Sequence, residues 1–125
     1  MDKLKVFWLI VSVVYTFVLI YFSLANVDSI MPDSETYPID KVLHFIAYTV
    51  LSILWAICYH KAFSKKHNRA LLISLLFFGI CMESTQEIIS PFRTFDWLDL
   101  IANCAGVVSG MIIATYLLKS KVKMD

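Results

Sequence analysis

Four long apolar runs, separated by short segments that carry nearly all the charge, constrain this chain more than any other feature. On a window of about 19 residues the runs cover roughly 6–24, 42–59, 70–82 with an extension to 89, and 98–118. A hydrocarbon core about 30 Å thick takes about 20 helical residues, so each run predicts a membrane-spanning α-helix. The third spans only if its polar end, residues 83–89, stays helical. Strands fit poorly, because the runs lack strict alternation and an open sheet cannot satisfy its backbone in lipid. Composition supports the same reading. The chain is 59% apolar and 17% charged, with three Gly and three Pro, whereas soluble domains run about 45–50% apolar and about 25% charged. A water-soluble globule, a disordered chain, a collagen and a secreted disulfide scaffold are excluded on these grounds. The expected fold is all-α: an integral membrane bundle of four transmembrane helices, one domain over 1–125.

The net charge of +1 conceals a segregation that sets the topology. Residues 1–5 hold Asp2, Lys3 and Lys5; residues 60–69 hold Lys61, Lys65, Lys66 and Arg69; the tail holds Lys119, Lys121, Lys123 and Asp125. These three segments are net positive. The two between them are net negative, with Asp28, Asp33, Glu35, Asp40 and Lys41 in the first, and Glu83, Glu87, Arg93, Asp96 and Asp99 in the second. Nine of the eleven basic residues thus fall on one side. The positive-inside rule then places both termini and the middle loop inside, and the two acidic connections outside. Trp8, Tyr59 and Tyr116 fall near the inner ends of their spans, and Tyr21, Phe22 and Trp97 near the outer ends, as interfacial aromatics do. Lys3 and Lys5 before an apolar stretch that ends in Ser23-Leu24-Ala25 also fit a cleaved signal peptide. The run is longer than the about 7–15 apolar residues of such a peptide, so retention as a span is expected.

Cys58, Cys81 and Cys104 lie one in each of three spans and form no CxxC. They read as small buried residues rather than as ligands or a redox pair. The basic inner loop can attract anionic lipid, although such clusters more often only fix topology.

The polar residues at the outer face carry more information. Asp40 and His44 are four apart at the start of the second helix and share a face continued by Ala47 and Leu51. Glu83 and Gln86 are three apart near the end of the third helix, above Gly79; Asp99 and Asn103 are four apart at the start of the fourth, one turn after Asp96. Arg93 stands on the connection that follows Pro91. Helices two and four start outside and helix three ends there, so these residues converge at one depth. Polar groups at membrane depth are costly unless paired or wetted, and they default to a functional reading. Each also has a structural alternative: Asp40 and Asp96 as helix caps, Glu83 with Arg93 as an ion pair closing the turn, His44 as a hydrogen-bonded interior imidazole. Helix four adds a stripe of small residues, Ala102, Gly106, Gly110 and Ala114, which lets another helix approach closely. Packing inside the bundle is the expected use, and Val107 is expected to lie off the stripe.

These residues resemble a known family. Asp40-Lys41-Val42-Leu43-His44-Phe45-Ile46-Ala47-Tyr48, then Glu83-Ser84-Thr85-Gln86, then Arg93, Asp96, Asp99 and Asn103, with Gly106 following, give the pattern DKxxHFxxY … ExxQ … RxxDxxDxxxN of VanZ-like proteins. The resemblance covers roughly 38–118, and the first helix fits the family's usual lead span. The family takes its name from a protein linked to resistance to teicoplanin, a glycopeptide antibiotic with a lipid tail. What the resemblance implies is a multi-pass protein of the bacterial plasma membrane; it supplies no established reaction.

Two functional classes follow. In one, the outer cluster binds or processes an amphiphile of the outer leaflet, a membrane lipid or a lipid-tailed small molecule. Arg93 would grip a phosphate or carboxylate, with Gln86, Asp96, Asp99 and Asn103 positioning the headgroup. Asp40, His44 and Glu83 are the candidate acid–base groups. Glu83, Gln86, Asp99 and Asn103 also form a weak oxygen set for a divalent cation; no HExxH motif supports zinc, no metal site is assigned and no cofactor is named. In the other class the cluster is a polar lock in a non-catalytic membrane scaffold or interaction module. Transport fits less well, since the four short spans lack inverted repeats and broken helices. Nucleic acid is not an expected partner.

Overall fold

The computed structural model describes residues 2–25, 39–59, 65–91 and 93–122. Four helices make up this architecture: α1 (Lys3–Leu24), α2 (Ile39–Tyr59), α3 (Lys65–Ile89) and α4 (Trp97–Val122). All four are long and apolar enough to cross a membrane, and no strand occurs among the described residues. Asp28, Asp33, Glu35, Lys61, Lys123 and Asp125 lie outside the described residues. The polar end of the third run does continue the helix to Ile89, which completes its span.

The boundary that differs most from the sequence reading is the start of α3. Lys65–Arg69 belong to α3 rather than to the preceding loop. Hydropathy marks where lipid begins, not where backbone hydrogen bonding begins, and Lys and Arg are good helix formers. At the other end, Ser90 N–H still donates to Gln86 O at 3.1 Å before Pro91 stops the helix. Asp96 then opens α4, its Oδ1 accepting the Leu98 N–H at 2.8 Å.

Helix packing does not follow chain order. The most extensive pairing is α2 against α4, whereas the consecutive α2 and α3 make only slight contact. The small-residue stripe explains this. A Cβ on Gly106 would sit 2.5 Å from Phe45 O, and one on Gly110 would overlap Ser52 Oγ and Thr49 O. Only a bare Cα lets the two backbones meet there, as close packing in lipid requires. Val107 lies off the stripe, as spacing expects, yet it is fully buried, in a core with Leu19, Tyr48, Leu51 and Leu75. Helix α4 is gripped on two adjacent faces, the glycine face by α2 and the Val107 face by the core.

Helix α1 lies mainly on α2 and is held by polar stitches. Tyr15 Oη donates to Ala47 O at 2.9 Å, and Trp55 Nε1 donates to Thr16 Oγ1 at 3.1 Å. The fully buried Ser12 hydroxyl donates to Trp8 O and lies 3.2 Å from Cys58 Sγ. Lipid gives no hydrophobic drive toward helix association, so such bonds and close packing hold helices together.

Candidate functional site

The acidic ends of α2, α3 and α4 meet. Asp40, Lys41 and His44 come from the first turns of α2, Glu83 and Gln86 from the last turns of α3, and Asp99 and Asn103 from the start of α4. Asp40 sits inside the first turn of α2, where a carboxylate favours the positive end of the helix dipole. All eight residues expected from spacing fall in this region, in two linked groups and a pair, Gln86 and Arg93, that reaches α1.

The first group is centred on a residue to which spacing gave no role. Lys41 Nζ lies 2.6 Å from Asp96 Oδ2, 2.6 Å from Asp99 Oδ1 and 3.6 Å from Asp40 Oδ2. Asp96 is therefore both the cap of α4 and a counter-ion. Its carboxyl, hydrogen-bonded by Lys41, is held below the usual carboxylate range. Among the described residues, Asp99 Oδ1 is the buried side-chain oxygen with no hydrogen bond; the Lys41 ammonium faces it by charge, off the hydrogen-bonding direction. A signal for Lys41 was present in the sequence. With Arg93 it is one of two basic residues on the acidic side, and it directly follows Asp40.

The second group runs through an amide. Asn103, almost fully buried, donates from Nδ2 to Glu83 Oε1 at 3.2 Å. That fixes its Oδ1 as the acceptor for His44 Nδ1, 2.9 Å away. With Nδ1 so occupied, His44 Nε2 is directed to Asp40 Oδ1 at 3.5 Å and Asp99 Oδ2 at 3.9 Å. Glu83 is 2% exposed and is linked through Asn103 to His44. Asp40, His44 and Asp99 each offer a ligand atom within 4.8 Å of the others, the spacing of a cation site. The Lys41 ammonium lies against two of these groups, 3.6 Å from Asp40 Oδ2 and 2.6 Å from Asp99 Oδ1.

Gln86 and Arg93 join the cluster to α1. Gln86 Nε2 and Arg93 Nη1 both donate to Ser23 O, at 3.0 Å and 3.2 Å. This carbonyl is among the last of α1 and has no partner within its own helix. Two donors from elsewhere in the chain thus tie down the end of the lead helix. No sequence pattern could reveal this contact, because its acceptor is a backbone atom.

Between α1 and α2, a cavity of about 390 Å³ opens beside the cluster. Its walls are apolar, from Tyr15, Val18, Leu19 and Phe22 on α1 and Leu43 and Ala47 on α2. Asp40, His44, Gln86 and Arg93 line its polar part. Val18, Phe22 and Leu43 are substantially exposed, so the cavity opens sideways, where lipid would lie. It combines an apolar slot with a charged end.

Comparison with known proteins adds one positive finding. Residues 3–119 match the family described as VanZ/LLP1, a span that takes in α1, α2, α3 and all but the last three residues of α4. Searches among curated proteins and among solved structures returned no match. The DKxxHFxxY, ExxQ and RxxDxxDxxxN elements supply the two linked groups described above, and this multi-pass membrane chain belongs to the VanZ/LLP1 family.

Proposed function

We propose that this protein binds an amphiphile drawn from the leaflet on its acidic side: a lipid, a glycolipid or a lipid-tailed glycopeptide. The observation that carries the reading is the amphipathic cavity between α1 and α2, whose apolar walls suit an acyl chain and whose polar end suits a headgroup. Arg93 donates one N–H to Ser23 O, and its planar fork suits a phosphate or carboxylate. Asp40, His44 and Gln86 complete the headgroup contacts. Asp96, Asp99 and Asn103 stand behind them and set their geometry. Asp40 and His44 border the cavity and can exchange a proton with a bound headgroup, with Glu83 tuning His44 through Asn103. The positive-inside rule makes this face the outer one. The setting is then the bacterial plasma membrane, and protection against a lipid-tailed glycopeptide is the phenotype this reading expects.

A second reading has its own support. The bonds from Lys41 to Asp96 and Asp99 and from Gln86 and Arg93 to Ser23 O hold all four helices together, as a polar lock in a non-catalytic scaffold would. Mass spectrometry of lipids retained by the purified protein separates the two. His44→Ala, Arg93→Lys and the cavity-filling Ala47→Phe should each lose the retained amphiphile and the envelope phenotype, with thermal melting in detergent near wild type. Equal retention in all three variants, or melting that falls in proportion to lost activity, would favour the lock.

A further inference from the structure

The opposite end of the bundle holds a second cavity, of about 410 Å³, that the outer-face reading does not use. It runs along α3 from His67 to Phe78 and is walled on α2 by the stacked rings of Trp55 and Tyr59. The eleven rises of about 1.5 Å from His67 to Phe78 make it about 16 Å long. That is close to one leaflet, half of a hydrocarbon core about 30 Å thick. Tyr59, Ala70 and Ser74 are exposed, so the groove opens sideways.

The charge at its mouth is one-sided. Lys65, Lys66 and Arg69 are exposed in the first turns of α3, and Lys66 lies one turn from the groove-lining Ala70 on the same helix face. The first turn of α3 contains no acidic residue, and none occurs anywhere between Lys41 and Glu83. The positive end of the helix dipole there has no carboxylate of its own segment to offset it.

We infer that this groove is a binding site for an anionic phospholipid of the leaflet on the basic side, one acyl chain lying along Trp55 and Phe78 and the phosphate held by Lys66 and Arg69. The occupant follows from complementarity: a slot one leaflet long, beside three exposed basic residues with no carboxylate in their own segment, matches a lipid with a negative headgroup. A neutral lipid would leave these charges unanswered. The site is independent of the outer cluster.

Trp55 offers a direct readout, because it lines the groove and only Trp8 and Trp97 accompany it in the chain. The full chain carrying Trp8→Phe and Trp97→Phe is reconstituted in phosphatidylcholine vesicles. Fluorescence quenching is then compared for chain-brominated phosphatidylglycerol and chain-brominated phosphatidylcholine at equal mole fraction. The anionic lipid should quench Trp55 several-fold more strongly. Ala70→Phe and Ser74→Phe, which fill the groove while facing lipid, should each abolish that excess. Lys66→Gln with Arg69→Gln should lower the apparent affinity for the anionic lipid by roughly tenfold or more. The envelope phenotype of the outer site should survive all of these changes. Equal quenching by the two lipids, or an excess that persists in both groove-filling variants, would overturn the assignment.

Discussion

A single ammonium decides whether three carboxylates can share the acidic end of the bundle. Lys41 meets Asp96 and Asp99 at 2.6 Å each and lies 3.6 Å from Asp40. Lys41→Gln would leave the buried Asp99 facing two like charges. Breaking a pair of this kind should cost about 2–4 kcal/mol, read as a drop in melting temperature in detergent. Lys41→Gln combined with Asp99→Asn should recover most of the loss, a coupling that a double-mutant cycle measures. Asp96 adds a pH signature. Its folded carboxyl is depressed by the Lys41 hydrogen bond, so its contribution is complete above the unfolded value of about 3.9. The contribution is lost as the pH falls through the lower folded value. Asp96→Asn should therefore flatten the acid limb of stability below about pH 4 and leave the slope near neutrality unchanged. Helical spacing predicted that the carboxylates gather here, but not what neutralises them. Lys41 and Asp96 stand 55 positions apart, and no local period connects residues so distant.

The three glycines of the chain make different demands at the level of the element. A Cβ on Gly106 would press on Phe45 O, and one on Gly110 would meet Ser52 and Thr49, whereas one on Gly79 would touch Tyr48 and Asn103 at ordinary distances of 3.4 and 3.5 Å. Gly106→Ala and Gly110→Ala should each destabilise by about 1–3 kcal/mol through overpacking, despite alanine's better helix propensity. Gly79→Ala should be neutral or gain up to about 1 kcal/mol from that propensity. Thermal melting of the three variants, with the exposed Val108→Leu as control, tests the order. Equal tolerance at all three glycines would mean that α2 and α4 do not pack through this stripe. The four-residue spacing made the stripe legible, and with it one tight helix pair. It did not make legible which helix is the partner, or that Val107 is buried beside it. Spacing describes one helix, and burial on a second face arises only when a third element arrives.

Across the whole molecule, hydropathy supplied the number of spans, and helical spacing supplied the residues of the cluster that the family pattern then joined. The division of that cluster into an ion-paired half and a half bordering the cavity required coordinates. So did the capture of the α1 terminus by Gln86 and Arg93, which join α3 and the connection after it to a backbone carbonyl. The orientation expected from the charge distribution can be measured directly. Single cysteines placed at 28–36 should react with an impermeant thiol reagent from outside, and those at 62–68 only after permeabilisation, in a background lacking the three native cysteines. An externally reactive C-terminus would reverse the outer and inner assignments of the two cavities.

The order of helix packing also has a temporal consequence. During synthesis, α2 enters the membrane with its charged first turns before the residues that neutralise Lys41 have been made. Translation proceeds at about 5–20 residues per second, so a lag of 55 residues leaves Lys41 without Asp96 for about 3–11 s. The glycine face of α4 that grips α2 comes later still. For those seconds the nascent α2 depends on water at the interface, the neighbouring Asp40 or the insertion machinery to shelter its ammonium. The same cluster that organises the finished bundle is therefore a point of exposure on the ribosome, and its safety depends on α4 emerging promptly.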